Sequence, residues 1–290
     1  MSDEPQPARP ASPSVKLSTG DVESVIRGLG DSLTSLGGVP PARSFRTPPV
    51  IARSVIERAG YVDSFPNLLG AVYTRREENL DGVAAGGHRP GPPYPEQALS
   101  DLVLLPAACY SLYPRHQGSR LADAVEYSVE GACFRQEGSD EPGRLRSFRM
   151  REFVRLGGGA ECHAWRDAWL ESAEAWLREL GLLPKRVVAN DPFFGRAQRL
   201  LRVTQREQEL KWELVVEVGP DCSQAVASCN YHKSHFGEVF EIADPTGQPA
   251  HSACAAFGYE RLALALAHRH GADQRRWPAS VRSMVNLGDN

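Results

Sequence analysis

From residue 99 onward, apolar segments of strand length follow one another, separated by turn residues and by three longer stretches with helical spacing. Leu102–Ala108 is an apolar run that ends in Cys109-Tyr110. Ala132–Glu137 and Phe148–Leu156 predict two strands joined by the polar loop Gly138–Gly143. Lys185–Ala189, Leu210–Val218, Val226–His232 and Glu238–Ala243 predict four more, and Asp244-Pro245-Thr246-Gly247 predicts a turn. Trp165, Trp169, Ala173, Trp176 and Leu180 recur at helical spacing until Gly181 and Pro184, and read as a packing face. Residues 193–209 and Phe257–His270 predict two further helices, the second closed by Gly271. Strands in succession with helices inserted imply an α+β fold, a mainly antiparallel β-sheet flanked by helices.

The N-terminal part has another texture. Residues 1–17 carry four prolines and three serines with few large apolar groups, and read as a disordered tail. Residues 18–98 read as a helical and irregular segment packed on a main domain at 99–290. Within it, Asp21 to Glu57 has helical spacing interrupted at Gly37-Gly38 and Pro40-Pro41, and residues 81–95 form a Gly/Pro-rich connector. No internal repeat stands out. Lys plus Arg number 33 against 36 Asp plus Glu, a net charge of −3, which argues against a globally basic nucleic-acid binder. No apolar run approaches the roughly 18–20 residues that cross a bilayer, so no membrane association is expected. The first 16 residues lack the apolar stretch of a secretory signal, so a cytoplasmic location is expected. Cys109, Cys133, Cys162, Cys222, Cys229 and Cys254 contain no C-x-x-C pair and are too sparse for a disulfide scaffold; in a reducing compartment they are thiols or metal ligands.

Two constellations carry chemistry. In the first, Phe134-Arg135-Gln136-Glu137 is followed, across a loop, by Arg144-Leu145-Arg146-Ser147-Phe148-Arg149-Met150-Arg151-Glu152. Five arginines lie in 144–155 against one carboxylate, Glu152. Such crowding is either a solvated basic strand edge or a polyphosphate site, because the guanidinium fork matches phosphate oxygens. The second constellation is Phe257-Gly258-Tyr259-Glu260-Arg261, which opens an apolar helix.

In their order these two segments resemble motifs 2 and 3 of class II aminoacyl-tRNA synthetases. The resemblance implies that Arg135 holds the α-phosphate of ATP, Phe148 stacks on adenine and Arg261 holds the γ-phosphate, with Glu137, Arg144 and Leu145 near the nucleotide. Ala256 stands where motif 3 has its first glycine. Residues 105–114 (LPAACYSLYP), 189–197 (ANDPFFGRA), 205–214 (QREQELKWEL), 227–237 (ASCNYHKSHFG) and 250–266 (AHSACAAFGYERLALAL) together resemble amino acid:[carrier protein] ligases. These are stand-alone relatives of the atypical zinc-containing seryl-tRNA synthetases, and the likeness runs collinearly over roughly residues 100–285. It implies an ATP contact for Lys211, a nucleotide-facing strand at Ala225, Val226, Ala227 and Ser228, and a substrate contact for Asn230.

The resemblance further implies a zinc ion held by Cys109, Glu152 and Cys254. Two thiolates and a carboxylate leave one coordination position open, as in functional zinc sites, and the α-amine of the substrate, glycine or alanine, would fill it. Cys133 is a rival ligand. Mg²⁺ would accompany ATP, with Glu241 a candidate for holding it. His232, His235 and His251 read as hydrogen-bonded structural histidines. Arg196, Arg199, Arg202 and Arg206, spaced by 3, 3 and 4, share one face of the expected helix 193–209. That face is either simply solvated or a docking surface for an acidic carrier protein. The implied reaction forms an aminoacyl-adenylate and transfers it to the phosphopantetheine thiol of the carrier, in a homodimer, with no tRNA involved. The rival readings are a tRNA-charging enzyme, a catalytically inactive synthetase-like module and a structural zinc protein.

Overall fold

The structure is a computed structural model that describes residues 18–40, 43–75, 97–137, 139–189 and 209–288. The expected tail 1–17, the connector 81–95 and the helix 193–209 with its four arginines lie outside or almost wholly outside these residues. The chain begins with helix α1 (Gly20–Gly37), followed by short strands β1 (Ser44–Arg46) and β2 (Val50–Ala52). Short helices α2 (Arg53–Arg58) and α3 (Tyr61–Ser64) lead to strands β3 (Ala71–Arg75) and β4 (Gln97–Leu104). Two 3₁₀ turns at Ala108–Ser111 and Tyr113–His116 precede β5 (Val125–Phe134) and β6 (Ser147–Gly157). Then come α4 (Gly159–Glu179), β7 (Lys185–Val188), β8 (Lys211–Gly219), β9 (Cys222–Lys233), α5 (His235–Val239), β10 (His251–Gly258), α6 (Tyr259–His270) and α7 (Ala279–Met284).

Seven strands form one sheet in the order β1-β5-β6-β10-β9-β8-β7. Only β1 on β5 is parallel; the other pairs are antiparallel. A separate three-stranded sheet has the order β2-β4-β3. The expected α+β architecture with a mainly antiparallel sheet is therefore observed. Among the described residues no helix is long and apolar enough to cross a membrane.

Two sequence expectations fail locally. Glu238–Ala243 is not a strand: His235–Val239 is helical and Ala243 makes isolated bridges to Arg120 and Pro249. The apolar alternation there places Phe236, Phe240 and Ile242 in the core from a helical turn instead. Residues 251–258 form a central strand that the sequence reading left unassigned, and the last helix starts at Tyr259 rather than Phe257. A strand with both faces covered lacks polar alternation, and the buried run Ser252–Phe257 shows none.

Helices α1, α4 and α6 cover one face of the large sheet. There Phe153 stacks on Trp169 at 4.3 Å between ring centroids, and Phe257 meets Trp169 and Trp176 edge-on. The tryptophan stripe of α4 is thus the packing face its spacing implied. Helix α1 is capped by Thr19, whose hydroxyl faces the Val22 amide, and closed by Gly38 in the left-handed region at φ +60°. Glycine lets α1 approach closely: a Cβ on Gly28 would sit 1.7 Å from the Val285 carbonyl oxygen, and one on Gly37 would collide with the Phe153 ring.

An ion pair also holds α1 to the sheet. Both oxygens of Glu23 accept hydrogen bonds from Arg149 at 2.8 Å. The Arg149 guanidinium lowers the Glu23 carboxyl from 4.5 to about 2. A depressed carboxyl stabilises the fold above its unfolded value and loses that contribution as pH falls from 4.5 toward 2. Acid unfolding followed by circular dichroism is therefore expected to be less steep over that window in Glu23→Gln, which is already weakened at neutral pH.

Candidate active site

Period-two alternation divides the residues of β6 between the two faces of the sheet. Phe148, Met150 and Glu152 line a cleft of about 520 Å³ on the face away from α1. Arg149 and Phe153 point the other way, Arg149 to Glu23 and Phe153 into the helix-covered core, and Arg151 between them reaches Thr34 of α1. The register of the neighbouring strands builds the cleft floor in rows. Glu152 faces Ala256 on β10, Ala256 faces Ser228 on β9, and Ser228 faces Glu213 on β8. In the next row Cys254 faces Asn230, and Asn230 faces Lys211.

One part of the cleft is cationic. Arg135 donates its Nε–H to the Pro106 carbonyl at 3.1 Å, and its guanidinium lies 5.5 Å from the centre of the Phe148 ring. Arg261 donates to the carbonyls of Gly143 and Ala225, both at 3.0 Å. Among the described residues neither arginine has a carboxylate within ion-pair distance. Burial, joined by the nearby charges of Arg135 and Arg144, pushes the Arg261 guanidinium below its ordinary value. Two confined cations facing one cavity create a site whose potential favours an anion with several oxygens.

The other part is sulfur-rich and buried. The Glu152 side chain is 1% exposed and accepts the Ala108 amide at 2.6 Å. Burial, and then the charge of Cys254, raises its carboxyl to about 7. Cys109 hydrogen-bonds to both Cys254 and Glu152. The Cys109 thiol is held well above its usual range by its bond to Cys254, and Cys254 is lowered by accepting that bond. Asn230 donates its side-chain N–H to the Cys254 sulfur at 3.2 Å, and His232 Nε2 lies 3.6 Å from it. The three expected zinc donors are thus neighbours. Among the described residues no group of three or more His, Cys, Asp or Glu side chains meets the geometry of a metal centre.

Most expected site residues line this one cleft: Cys109, Arg135, Glu137, Phe148, Glu152, Lys211, Ala225, Val226, Ala227, Ser228, Asn230, Cys254 and Arg261. Arg144 and Leu145 do not line it. Arg144 stands beside the cleft, bonded to Glu141 at 2.7 Å and 3.8 Å from Glu137. Three of the five arginines in 144–155 are occupied by carboxylates on the face away from the cleft. Arg149 pairs with Glu23 and Glu260, Arg151 with Glu130, and Arg155 with Glu126 and Glu161. Their odd numbers put them on the opposite face from Glu152, so that carboxylate is not their counter-charge either. Cys133 is buried, lies outside the cleft and donates to the Gly131 carbonyl. Glu241 is exposed in the turn after α5, at φ +56°, and does not reach the cleft. The carrier-docking arginines Arg196, Arg199, Arg202 and Arg206 lie outside the described residues.

The histidines are hydrogen-bonded, as expected: His232 to Ser252 at 2.9 Å, His235 to the Ala59 carbonyl at 3.0 Å, and His251 to Tyr231. The contact of His232 with Cys254 was not foreseen. Tyr61, Phe65 and Leu68, from the turn-rich segment after α2, form a wall that no local pattern announced. Glu213 and Glu260 also line the cleft. Glu213 was within reach of sequence reasoning, since it alternates with Lys211 and therefore shares its face.

A mainly antiparallel seven-stranded sheet carrying two cleft arginines on a strand-loop-strand unit and at a helix start defines a class II aminoacyl-tRNA synthetase-like catalytic domain. The M. kandleri SerRS in complex with A. aeolicus tRNASec has this fold, with a TM-score of 0.79 at 19% identity over 97% of this chain and 58% of that one. No protein-family model matches the chain. Amino acid--[acyl-carrier-protein] ligase 2 of Bradyrhizobium diazoefficiens is 41% identical over 281 residues, covering 95% of this chain and 84% of that protein. Ligase 1 of the same organism is 40% identical over 274 residues, covering 91% and 82%. The chain belongs to the amino acid--[acyl-carrier-protein] ligase family. Removing one guanidinium from the cationic part of its cleft should be costly: Arg261→Ala is expected to weaken ATP binding about 10- to 100-fold in equilibrium titration.

Proposed function

We propose that this chain activates a small amino acid, glycine or alanine, with ATP and transfers it to the phosphopantetheine thiol of a carrier protein. The observation that carries this reading is the juxtaposition, in one cleft, of the Arg135–Arg261 cations and the buried Cys109, Glu152 and Cys254 cluster. One part suits a triphosphate, and the other suits the amino group of a small substrate.

In the first step a carboxylate oxygen of the amino acid attacks the α-phosphorus of ATP. A new P–O bond forms, the bond to the bridging oxygen breaks, and pyrophosphate leaves. Arg135 lies against Phe148, so an adenine stacked on that ring brings the α-phosphate within reach of the guanidinium. Arg261 meets the departing phosphates from the start of α6. Both arginines are anchored to backbone carbonyls before substrate arrives, so little reorganisation is needed as charge develops. In the second step the carrier's thiolate attacks the carbonyl carbon of the adenylate, and AMP leaves with the C–O bond electrons. Mg²⁺ would accompany the triphosphate, next to the cleft carboxylates Glu137 and Glu213.

Cys109, Glu152 and Cys254 fit a zinc ion by donor chemistry, two soft sulfurs and one carboxylate oxygen that already adjoin. Bound there, zinc would anchor and orient the α-amine of the substrate. Asn230 donates to the Cys254 sulfur and so keeps that side chain aimed along the cleft. The substrate side chain would meet Tyr110, Met150 and Phe236, which line the cleft. Bulky walls of this kind favour small amino acids, although one methyl group separates glycine from alanine by only about 1–3 kcal/mol.

ATP–pyrophosphate exchange across the amino acids, followed by a mass-shift assay on a holo carrier protein, tests the proposal. Exchange with glycine or alanine and a matching mass gain on the carrier are expected. Exchange with no amino acid, or acylation of tRNA without loading of any carrier, would overturn it. Elemental analysis is expected to find about one zinc per chain, with metal and exchange both lost in Cys254→Ala and the circular dichroism unchanged; unfolding of that variant would favour a structural zinc instead.

A further inference from the structure

Glu23, Gly30 and Thr34 lie on one face of α1, since 7 and 11 residues are close to two and three helical turns. From that face two runs of hydrogen bonds reach the sheet through β6. Glu23 accepts from both terminal nitrogens of Arg149, and Arg149 donates its Nε–H and its backbone N–H to the two oxygens of Glu260, all four at 2.8 Å. Thr34 accepts from Arg151 at 3.2 Å. Arg151 donates to Glu130 at 3.4 Å, and the Tyr259 hydroxyl donates to the same Glu130 oxygen at 3.2 Å. Between the two runs a Cβ on Gly30 would stand 3.2 Å from the Tyr259 hydroxyl oxygen. Both runs therefore end on consecutive residues, Tyr259 and Glu260, which open α6 immediately before Arg261.

Among the described residues the hydrogen-bond partners of Arg261 are the carbonyls of Gly143 and Ala225. Its place in the cleft depends on where the first turn of α6 sits. That turn is held from the far side of the sheet by two arginines of β6 and, through them, by α1. A clamp meant only to attach α1 has no need to converge on the two residues before a cleft cation.

We propose that α1 is a positioning element for the nucleotide site: Glu23 and Thr34, acting through Arg149–Glu260 and Arg151–Glu130–Tyr259, set how Arg261 grips the terminal phosphates of ATP. The inference rests on the nucleotide reading of the cleft given above. Glu23 and Thr34 touch no substrate, so they are positioning residues. Their loss lowers affinity for ATP and leaves the amino-acid end of the cleft as it was.

The test uses the full chain, with Glu23→Gln, Thr34→Val, Glu23→Asp and Arg261→Lys, and the double variant Glu23→Gln/Arg261→Lys. ATP dissociation constants come from equilibrium titration, KM values from ATP–pyrophosphate exchange, and folding from circular dichroism. Glu23→Gln and Thr34→Val are each expected to raise the Kd and KM for ATP about 3- to 30-fold. The KM for the amino acid should stay unchanged, and Glu23→Asp should recover part of the loss. In the Arg261→Lys background the added effect of Glu23→Gln should shrink to less than about twofold, because the two residues act through one geometry. Thr34→Val carries the test if Glu23→Gln does not fold. ATP affinity within about twofold of the parent in the folded variants, or full additivity with Arg261→Lys, overturns the inference. A parent chain that binds no ATP removes the nucleotide reading, and this inference with it; a parent that binds ATP and a Glu23→Gln variant that binds it equally well removes this inference alone.

Discussion

The alternation of side chains along β6 is the constraint on which the rest depends. Within five residues the strand sends Phe148, Met150 and Glu152 to the cleft and Arg149 and Arg151 to the side of α1. A slip of one residue would put arginines where a buried carboxyl must sit and leave Phe153 outside the aromatic core. The register is protected because both faces penalise that slip. On one side Phe153 is locked between Trp169 and Phe257. On the other, Glu152 is tied to the Ala108 amide. Such two-sided specification is possible only for a central strand, and β6 lies between β5 and β10.

The cleft brings two kinds of electrostatics together, and the charge of Arg135 is felt at Glu152. Arg135 and Arg261 have neutral carbonyl partners and line the same cleft. The other part has the opposite character: burial raises Glu152, while Cys254 is stabilised by bonds from Cys109, His232 and Asn230. On the function proposed above, one region would hold the anionic nucleotide and the other the neutral amine of the substrate.

Much of this was legible beforehand, for identifiable reasons. Arg135, Phe148, Glu152, Cys254 and Arg261 were named because the segments that hold them resemble family motifs in collinear order, and strand and helix periods alone would not have singled them out. The antiparallel sheet was legible in the run of strand-length apolar segments, and α4 in its tryptophan spacing. The partners of Arg149, Arg151 and Arg155 were not legible, because a count of charges along the chain does not say which face each takes or which distant acid meets it. Glu23, Glu126 and Glu130 supply those acids from other elements. Tyr61 and Phe65 went unseen because nothing local distinguishes an aromatic that walls a cleft from one that fills a core.

By itself the amino-acid sequence determined the local periods, the turn positions and the identity of the reactive groups, because each depends on neighbours within a few residues. It also carried the family, through motifs that keep their order. Only the tertiary structure decided which carboxylates neutralise the β6 arginines, that α1 reaches the start of α6, and that residues 109, 152 and 254 share one buried corner. Those outcomes depend on strand register and helix packing between segments more than 40 residues apart, and no local preference encodes such pairings.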